Sequence, residues 1–104
     1  MELAKKRDEM QKKVELARDL VGFEEYYEAA KNFGDAVELG YSLTDADREM
    51  LDAACRSEIE RLRKQIDYCK RQIDTGRASF AHDLDQSQDK LKQMLVWRTR
   101  LLSK

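Results

Sequence analysis

Residues 55–73, CRSEIERLRKQIDYCKRQI, contain the most regular apolar pattern of the chain. Apolar or cysteine residues recur there at alternating intervals of four and three, at Cys55, Ile59, Leu62, Ile66, Cys69 and Ile73. This heptad pattern, with isoleucine at position a and cysteine or leucine at position d, is typical of a coiled coil or a long helical bundle. We therefore expect these six residues to form a seam, either in the core of one chain or between two copies of the chain.

The helix that carries this seam has a start signal and a stop signal. Gly40 is expected to end the preceding helix in a left-handed conformation. Thr44 then resembles an N-cap whose side chain forms a capping box with Asp47, and Asp45 adds a second acid to the first turn. At the other end Gly76 is expected to follow the last helical turn, so the sequence predicts a helix over residues 45–75.

The first half of the chain is predicted to be helical over residues 2–39, with a break near Gly22. Its apolar positions restart after that glycine in a new register, and a change of register at glycine indicates a kink or two shorter helices. Phe23, Tyr26, Tyr27 and Phe33 make this region the aromatic centre of the chain. Aromatic residues at helical spacing are predicted to pack in the core.

The last helix is predicted over residues 79–102, with an apolar stripe that Ser87 and Arg98 interrupt. The short connection before it favours folding back on the preceding helix. We therefore expect a single all-α domain over residues 1–104, formed by three long helices as an antiparallel bundle with coiled-coil character. A thin bundle of this size has a small core, which makes self-association, and a dimer in particular, a reasonable expectation.

Composition and charge exclude several classes of protein. Of the 104 residues 39% are charged, none is proline, and the net charge is −1, so the chain is not a polycation built for nucleic acid. The sequence contains no run of about 18 apolar residues, the length needed to span a membrane. We expect a cytoplasmic protein. Residues 22–47 have the strongest local excess of negative charge, with seven acidic residues and one basic residue.

The sequence contains no catalytic or metal-binding signature, and we expect neither an enzyme nor a cofactor. Cys55 and Cys69 would lie about 21 Å apart on one helix, too far for a disulfide within that helix. Both are expected to be small buried residues. His82 is the only histidine, and neither cysteine has a second cysteine at zinc-ligand spacing.

A row of cations flanks the seam. Arg56, Arg63, Lys70 and Arg77 recur every seven residues at heptad position e. Residues at e commonly form ion pairs with g residues of a neighbouring helix, yet Glu58 is the only acid at g. Two interpretations remain open: the acidic residues of segment 24–38 neutralise the row within the chain, or the row binds an anion, a phosphopeptide or an acidic protein.

Residues 16–63 resemble the first helices of the 14-3-3 phosphopeptide-binding family. The matching residues are Leu16-Ala17, Phe23-Glu24-Glu25, Lys31-Asn32-Phe33, Gly40-Tyr41-Ser42-Leu43-Thr44, Arg48, Met50-Leu51 and Ala54-Cys55-Arg56. The resemblance implies that Arg56 and Arg63 stand at two basic positions of a phosphate pocket, although Cys55 and Ile66 replace the family's aromatic residues. The other pocket residues of that family lie on later helices that this chain is too short to contain.

Residues 22–30 are also similar to the helical hairpins of tetratricopeptide repeats and of the three-helix domains that bind ESCRT tails. Taken with the cationic row, these resemblances favour a non-enzymatic helical adaptor or regulatory module that binds an acidic or phosphorylated protein, or a second copy of itself. The alternative is a dimeric coiled-coil regulator that binds nucleic acid through the same cations.

Overall fold

The computed structural model describes residues 2–102 and contains four α-helices. They are α1 (Glu2–Gly22), α2 (Tyr26–Glu38), α3 (Asp45–Asp74) and α4 (Ala81–Leu102), and a single 3₁₀ turn (Ala78–Phe80) precedes α4. The all-α class is confirmed, but the expected count of three helices is wrong. The first predicted helix is two separate helices, because the chain reverses direction between them.

The reversal between α1 and α2 is a Schellman turn, in which two backbone N–H groups that follow a helix donate hydrogen bonds to carbonyls of its last turn. The N–H of Glu25 donates to the carbonyl of Leu20 at 2.9 Å, and that of Glu24 donates to the carbonyl of Val21 at 3.0 Å. Glu24 occupies the left-handed position of this turn, with φ at 61°. Gly22 is therefore the last residue of α1, but the unusual backbone geometry falls on a glutamate.

Helix α3 begins and ends at the signals in its sequence. Thr44 accepts a hydrogen bond from the N–H of Asp47 at 3.0 Å, and its own N–H donates to the Asp47 carboxylate at 3.2 Å, so the predicted capping box is confirmed. Gly76 has a φ of 94° and lies two residues after Asp74, the last residue of the helix. Such a conformation stops a helix at low cost only when the residue is glycine.

Helices α3 and α4 form an antiparallel pair. Asp52 near the start of α3 pairs with Arg98 near the end of α4 at 3.5 Å, and at the other end the rings of Tyr68 and Phe80 meet edge to face, 5.7 Å apart. The inward positions of α4 are Leu84, Ser87, Leu91, Met94, Arg98 and Leu101, which are buried or half-buried. Ser87 and Arg98 therefore belong to the inward row that they were expected to interrupt.

The core lies where the α1–α2 hairpin packs against the first half of α3 and the second half of α4. It is built from Val14, Ala17, Ala30, Phe33, Ala36, Leu51, Cys55, Ile59, Leu62, Met94 and Leu101. The molecule measures 57 × 25 × 24 Å. Because the hairpin covers only part of the longer α3–α4 pair, much of α3 has a single neighbouring helix.

The aromatic residues do not share one environment, contrary to the prediction that they all pack in the core. Phe33 is fully buried, whereas 76% of Phe23 is exposed at the turn between α1 and α2. Tyr27 contacts Trp97 of α4 with ring centroids 5.1 Å apart. The amine of Lys90 also lies 5.3 Å from the centre of the Tyr27 ring, so α2 is tied to α4 on this side.

Candidate functional site

The apolar seam of α3 faces the interior of the chain. Cys55, Ile59, Leu62, Ile66 and Cys69 are buried, and Ile73 is half-buried near the end of the helix. These side chains pack against α4 and the core, so a second copy of the chain could reach them only if α4 moved away. A parallel dimer through this seam is therefore not compatible with the folded chain.

Helix α2 lies on one flank of the α3–α4 pair, the flank that carries the heptad g positions of α3. A hollow on this flank is lined by Arg61, Leu62 and Gln65 of α3 together with Asp83, Gln86, Ser87 and Lys90 of α4. Lys90 and Trp97 reach from the same flank of α4 to Tyr27 of α2. In an antiparallel helix pair the g positions of both helices share one flank and the e positions share the other, so the e flank is the one that α2 leaves open.

Arg56, Arg63 and Lys70 lie on this open flank and are exposed to solvent. At 1.5 Å per residue the row extends for about 21 Å along α3. Arg77 does not continue it, because α3 ends at Asp74 and the chain turns at Gly76. The predicted row of four cations is thus a row of three, with Arg77 in the connection that follows.

The acidic residues of α2 do not neutralise this row. Asp35 pairs with Lys13 of α1, and Glu38 pairs with Arg100 of α4, each at 3.5 Å. Arg56 pairs with Asp52 of its own helix at 3.0 Å. Within residues 2–102, Arg63 and Lys70 have no acidic side chain within 4 Å, and neither does Arg77. The first interpretation, in which acidic residues of segment 24–38 neutralise the row, is therefore not what the structure shows for Arg63 and Lys70.

Sequence reasoning missed a row of acids beside these cations. Glu60, Asp67 and Asp74 stand four residues after Arg56, Arg63 and Lys70 and are also exposed. Glu60 pairs with Lys64 at 3.3 Å, whereas Asp67 and Asp74 form no ion pair with any residue that the structure describes. We call the six residues of the two rows the outer seam, because their spacing alternates between four and three like that of the apolar seam.

The outer seam was visible in the sequence, but a search for apolar periodicity does not detect it. Positions e and b lie next to each other on the helix surface, about 100° around the axis from the apolar seam. The signal that reveals it is a heptad repeat of charge sign, with a base followed four residues later by an acid, three times in succession. Burial of the apolar seam shows that this charged face points outward.

Helix α4 adds a small apolar area close to the open flank. Leu95 and Val96 are 39% and 51% exposed, and they line a shallow depression with Lys92, Thr99 and Arg100. Leu95 occupies the e flank of α4, since it stands four residues after the inward Leu91. The open flank therefore combines charged residues from α3 with apolar residues from α4.

Asp47, one of four buried polar residues in the described chain, is the centre of a structural clamp rather than of a binding site. Asp47 is 1% exposed and accepts hydrogen bonds from Arg18, Tyr41 and Thr44. Burial by itself would raise the pKa of Asp47, but these hydrogen bonds outweigh it and lower the pKa to about 2. A carboxylate that is fully paired in this way fixes α1 and the α2–α3 loop on the start of α3.

The cysteines are unsuited to nucleophilic chemistry. Both are free and buried, and burial raises the pKa of the Cys55 thiol to about 11, so this sulfur stays protonated at neutral pH. Between residues 2 and 102, no group of three or more His, Cys, Asp or Glu side chains is placed to hold a metal ion. None of the helices over the same residues is long and apolar enough to cross a membrane.

Comparison with known proteins yields no relative: no protein-family model, no curated protein and no solved structure matches this chain. The resemblance to the first helices of 14-3-3 proteins therefore gains no support from them, and the function has to be argued from the surface itself.

Proposed function

We propose that this chain is a non-enzymatic helical interaction module that binds a protein partner through the outer seam of α3. The observation that carries the proposal is that Arg63 and Lys70 are exposed, have no ion-pair partner in the described chain and lie on the flank that the α1–α2 hairpin leaves open. Their spacing of seven residues places them about 10 Å apart on one face. Such a row fits acidic side chains presented by a neighbouring protein surface.

The composition of the face favours a protein over nucleic acid. A phosphate backbone is uniformly negative, and the acids Glu60, Asp67 and Asp74 alternate with the cations along the same face. A strand laid on the seam would bring its phosphates against these carboxylates, which opposes binding. A protein surface can instead present both signs of charge and match each row.

The proposal is tested by comparing what the immobilised chain captures from a lysate of its source cells before and after substitution of the seam. Arg63→Gln with Lys70→Gln should remove the captured protein, while helicity and melting temperature stay unchanged. The matched control is Lys5→Gln with Lys6→Gln, which removes two exposed cations from α1 and should leave capture intact. Equal capture by all three proteins would reject the outer seam as the binding surface.

The nucleic-acid alternative is tested by mobility shift of a random DNA duplex. Binding that weakens steeply with salt and disappears in the Arg63→Gln/Lys70→Gln protein would support the alternative and contradict a protein partner. We expect no shift at physiological salt.

A further inference from the structure

The order of charges on the outer seam makes it complementary to itself. Reversing the direction of a second α3 about a two-fold axis at residue 65 places each residue opposite the one equally far on the other side of that axis. Arg56 then faces Asp74 of the second copy, Arg63 faces Asp67, and Lys70 faces Glu60. Because the relation is reciprocal, all six residues of each copy meet the opposite sign.

We propose that the partner of the outer seam is a second copy of this chain, bound with the two α3 helices antiparallel. This inference rests on the proposed function and names the partner for the same surface. The resulting dimer joins two α3–α4 pairs through their open flanks and leaves both apolar seams closed.

Pairing within one helix leaves four of the six charges of the outer seam unpaired in the described chain, since only Arg56 and Glu60 have a partner there. An acid that stands four residues before a base is better placed for an ion pair on a helix than the reverse order. The structure follows this rule: Asp52 pairs with Arg56, and Glu60 pairs with Lys64. Arg63 and Asp67 stand in the unfavourable order and do not pair, and the same holds for Lys70 and Asp74.

The antiparallel arrangement is also the one that gives a closed dimer, in which both copies use the same surface reciprocally. In a parallel pair on a two-fold axis, residues of equal number face each other, which would place Arg63 beside Arg63 and Asp67 beside Asp67. Shifting parallel helices by four residues would match the signs, but such a contact is not reciprocal and would extend into a chain of molecules. The charge order therefore favours an antiparallel dimer with its axis at residue 65, because this register pairs all six residues of each copy, whereas a shift of seven residues pairs only four.

The physical character of the contact predicts how the dimer behaves. Exposed ion pairs contribute little individually and are screened by salt. Leu95 and Val96 flank the same side and add apolar surface. We therefore expect a dimer that dissociates on dilution and on raising the salt from about 0.05 M to about 0.5 M, where the Debye length falls below about 5 Å.

The proposal is tested by analytical ultracentrifugation of two charge-reversed proteins. Arg63→Glu with Lys70→Glu makes the seam acidic apart from Arg56, and Asp67→Lys with Asp74→Lys makes it basic apart from Glu60. Each protein alone should dimerise at least about tenfold more weakly than the wild type, because four attractive contacts per dimer become repulsive. An equimolar mixture should dimerise more strongly than either variant alone, because four of the six contacts between the two variants are attractive and only two are repulsive.

The register is tested by disulfide cross-linking under mild oxidation. A mixture of Arg63→Cys and Asp67→Cys chains should cross-link, since the two positions face each other. A mixture of Arg63→Cys and Asp74→Cys should not, because those positions would be about 10 Å out of register. The native cysteines are buried and are present in both mixtures, so any cross-linking through them would be the same in each.

The outcomes separate this inference from the proposed function. A wild-type chain that stays monomeric at all concentrations, or a mixture that dimerises no more strongly than either variant alone, overturns the second copy as partner. If capture of another protein still depends on Arg63 and Lys70, the interaction module stands and only the identity of its partner is wrong. Loss of both results rejects the outer seam altogether.

Discussion

Arg18 of α1 donates from its Nε to Oδ1 of Asp47 at 2.9 Å, across twenty-nine positions of sequence. The guanidinium also donates to the Tyr41 hydroxyl at 3.2 Å, and that hydroxyl donates to the same carboxylate. Asp47 therefore connects the first helix, the α2–α3 loop and the N-terminus of α3. Its pKa, lowered to about 2 from an ordinary value of 3.8 despite burial, shows that the folded chain favours the charged form.

We expect Asp47 to make the stability of the fold depend on pH in acid. A carboxyl group with a lower pKa when folded stabilises the fold above its unfolded pKa, and the effect is lost as pH falls from about 4 to about 2. The contribution at neutral pH is about 2 kcal/mol. Urea unfolding of Asp47→Asn should therefore show that loss at pH 7, and the gap to the wild type should close near pH 2. A gap that stays constant would contradict the shift.

The limits of α3 and its apolar seam could be predicted because the responsible signals are local. Thr44 and Asp47 stand three residues apart, Gly76 acts through its own backbone, and the seam repeats along one helix. Each of these effects requires only neighbouring residues to be known.

The remaining features depend on contacts between distant segments. Nothing in the sequence near Asp47 indicates Arg18 as its partner, and nothing near Phe23 indicates that the turn carries it away from the core. Asp35 and Glu38 pair with α1 and α4, so they do not reach Arg63 and Lys70, which have no ion-pair partner in the part of the chain that the structure describes. Such pairings follow from how helices pack, which helical periodicity alone does not specify.

Replacing Glu24 by glycine should stabilise the protein. Glu24 has a φ of 61°, and the left-handed region costs a residue with a Cβ roughly 1 to 2 kcal/mol. Part of the gain is offset by the greater freedom of glycine in the unfolded chain, so we expect a net gain of about 1 kcal/mol, or several degrees in melting temperature. Glu25→Gly, at a φ of −86°, is the matched control and should lower the melting temperature instead.

Replacing Gly34 by alanine should also stabilise the protein, for a different reason. A Cβ at Gly34 would lie 3.6 Å from Nε1 of Trp97, an ordinary van der Waals contact, in the middle of α2. Alanine is better than glycine inside a helix by up to about 1 kcal/mol. Gly40→Ala is the contrasting change, since its φ of 106° is unfavourable for alanine, and it should destabilise the fold. Urea midpoints that move in the same direction for both would contradict the assigned geometry.

Truncating the two phenylalanines of the first half should change the free energy of unfolding by very different amounts. Phe33→Ala removes a fully buried ring and should cost about 3 to 5 kcal/mol in the free energy of unfolding. Phe23→Ala removes a ring that is 76% exposed, so its cost should stay within about 0.5 kcal/mol. Chemical denaturation of both variants measures the difference directly. A large loss for Phe23→Ala would mean that this ring packs against the protein in solution, and the arrangement of the α1–α2 turn would then be wrong.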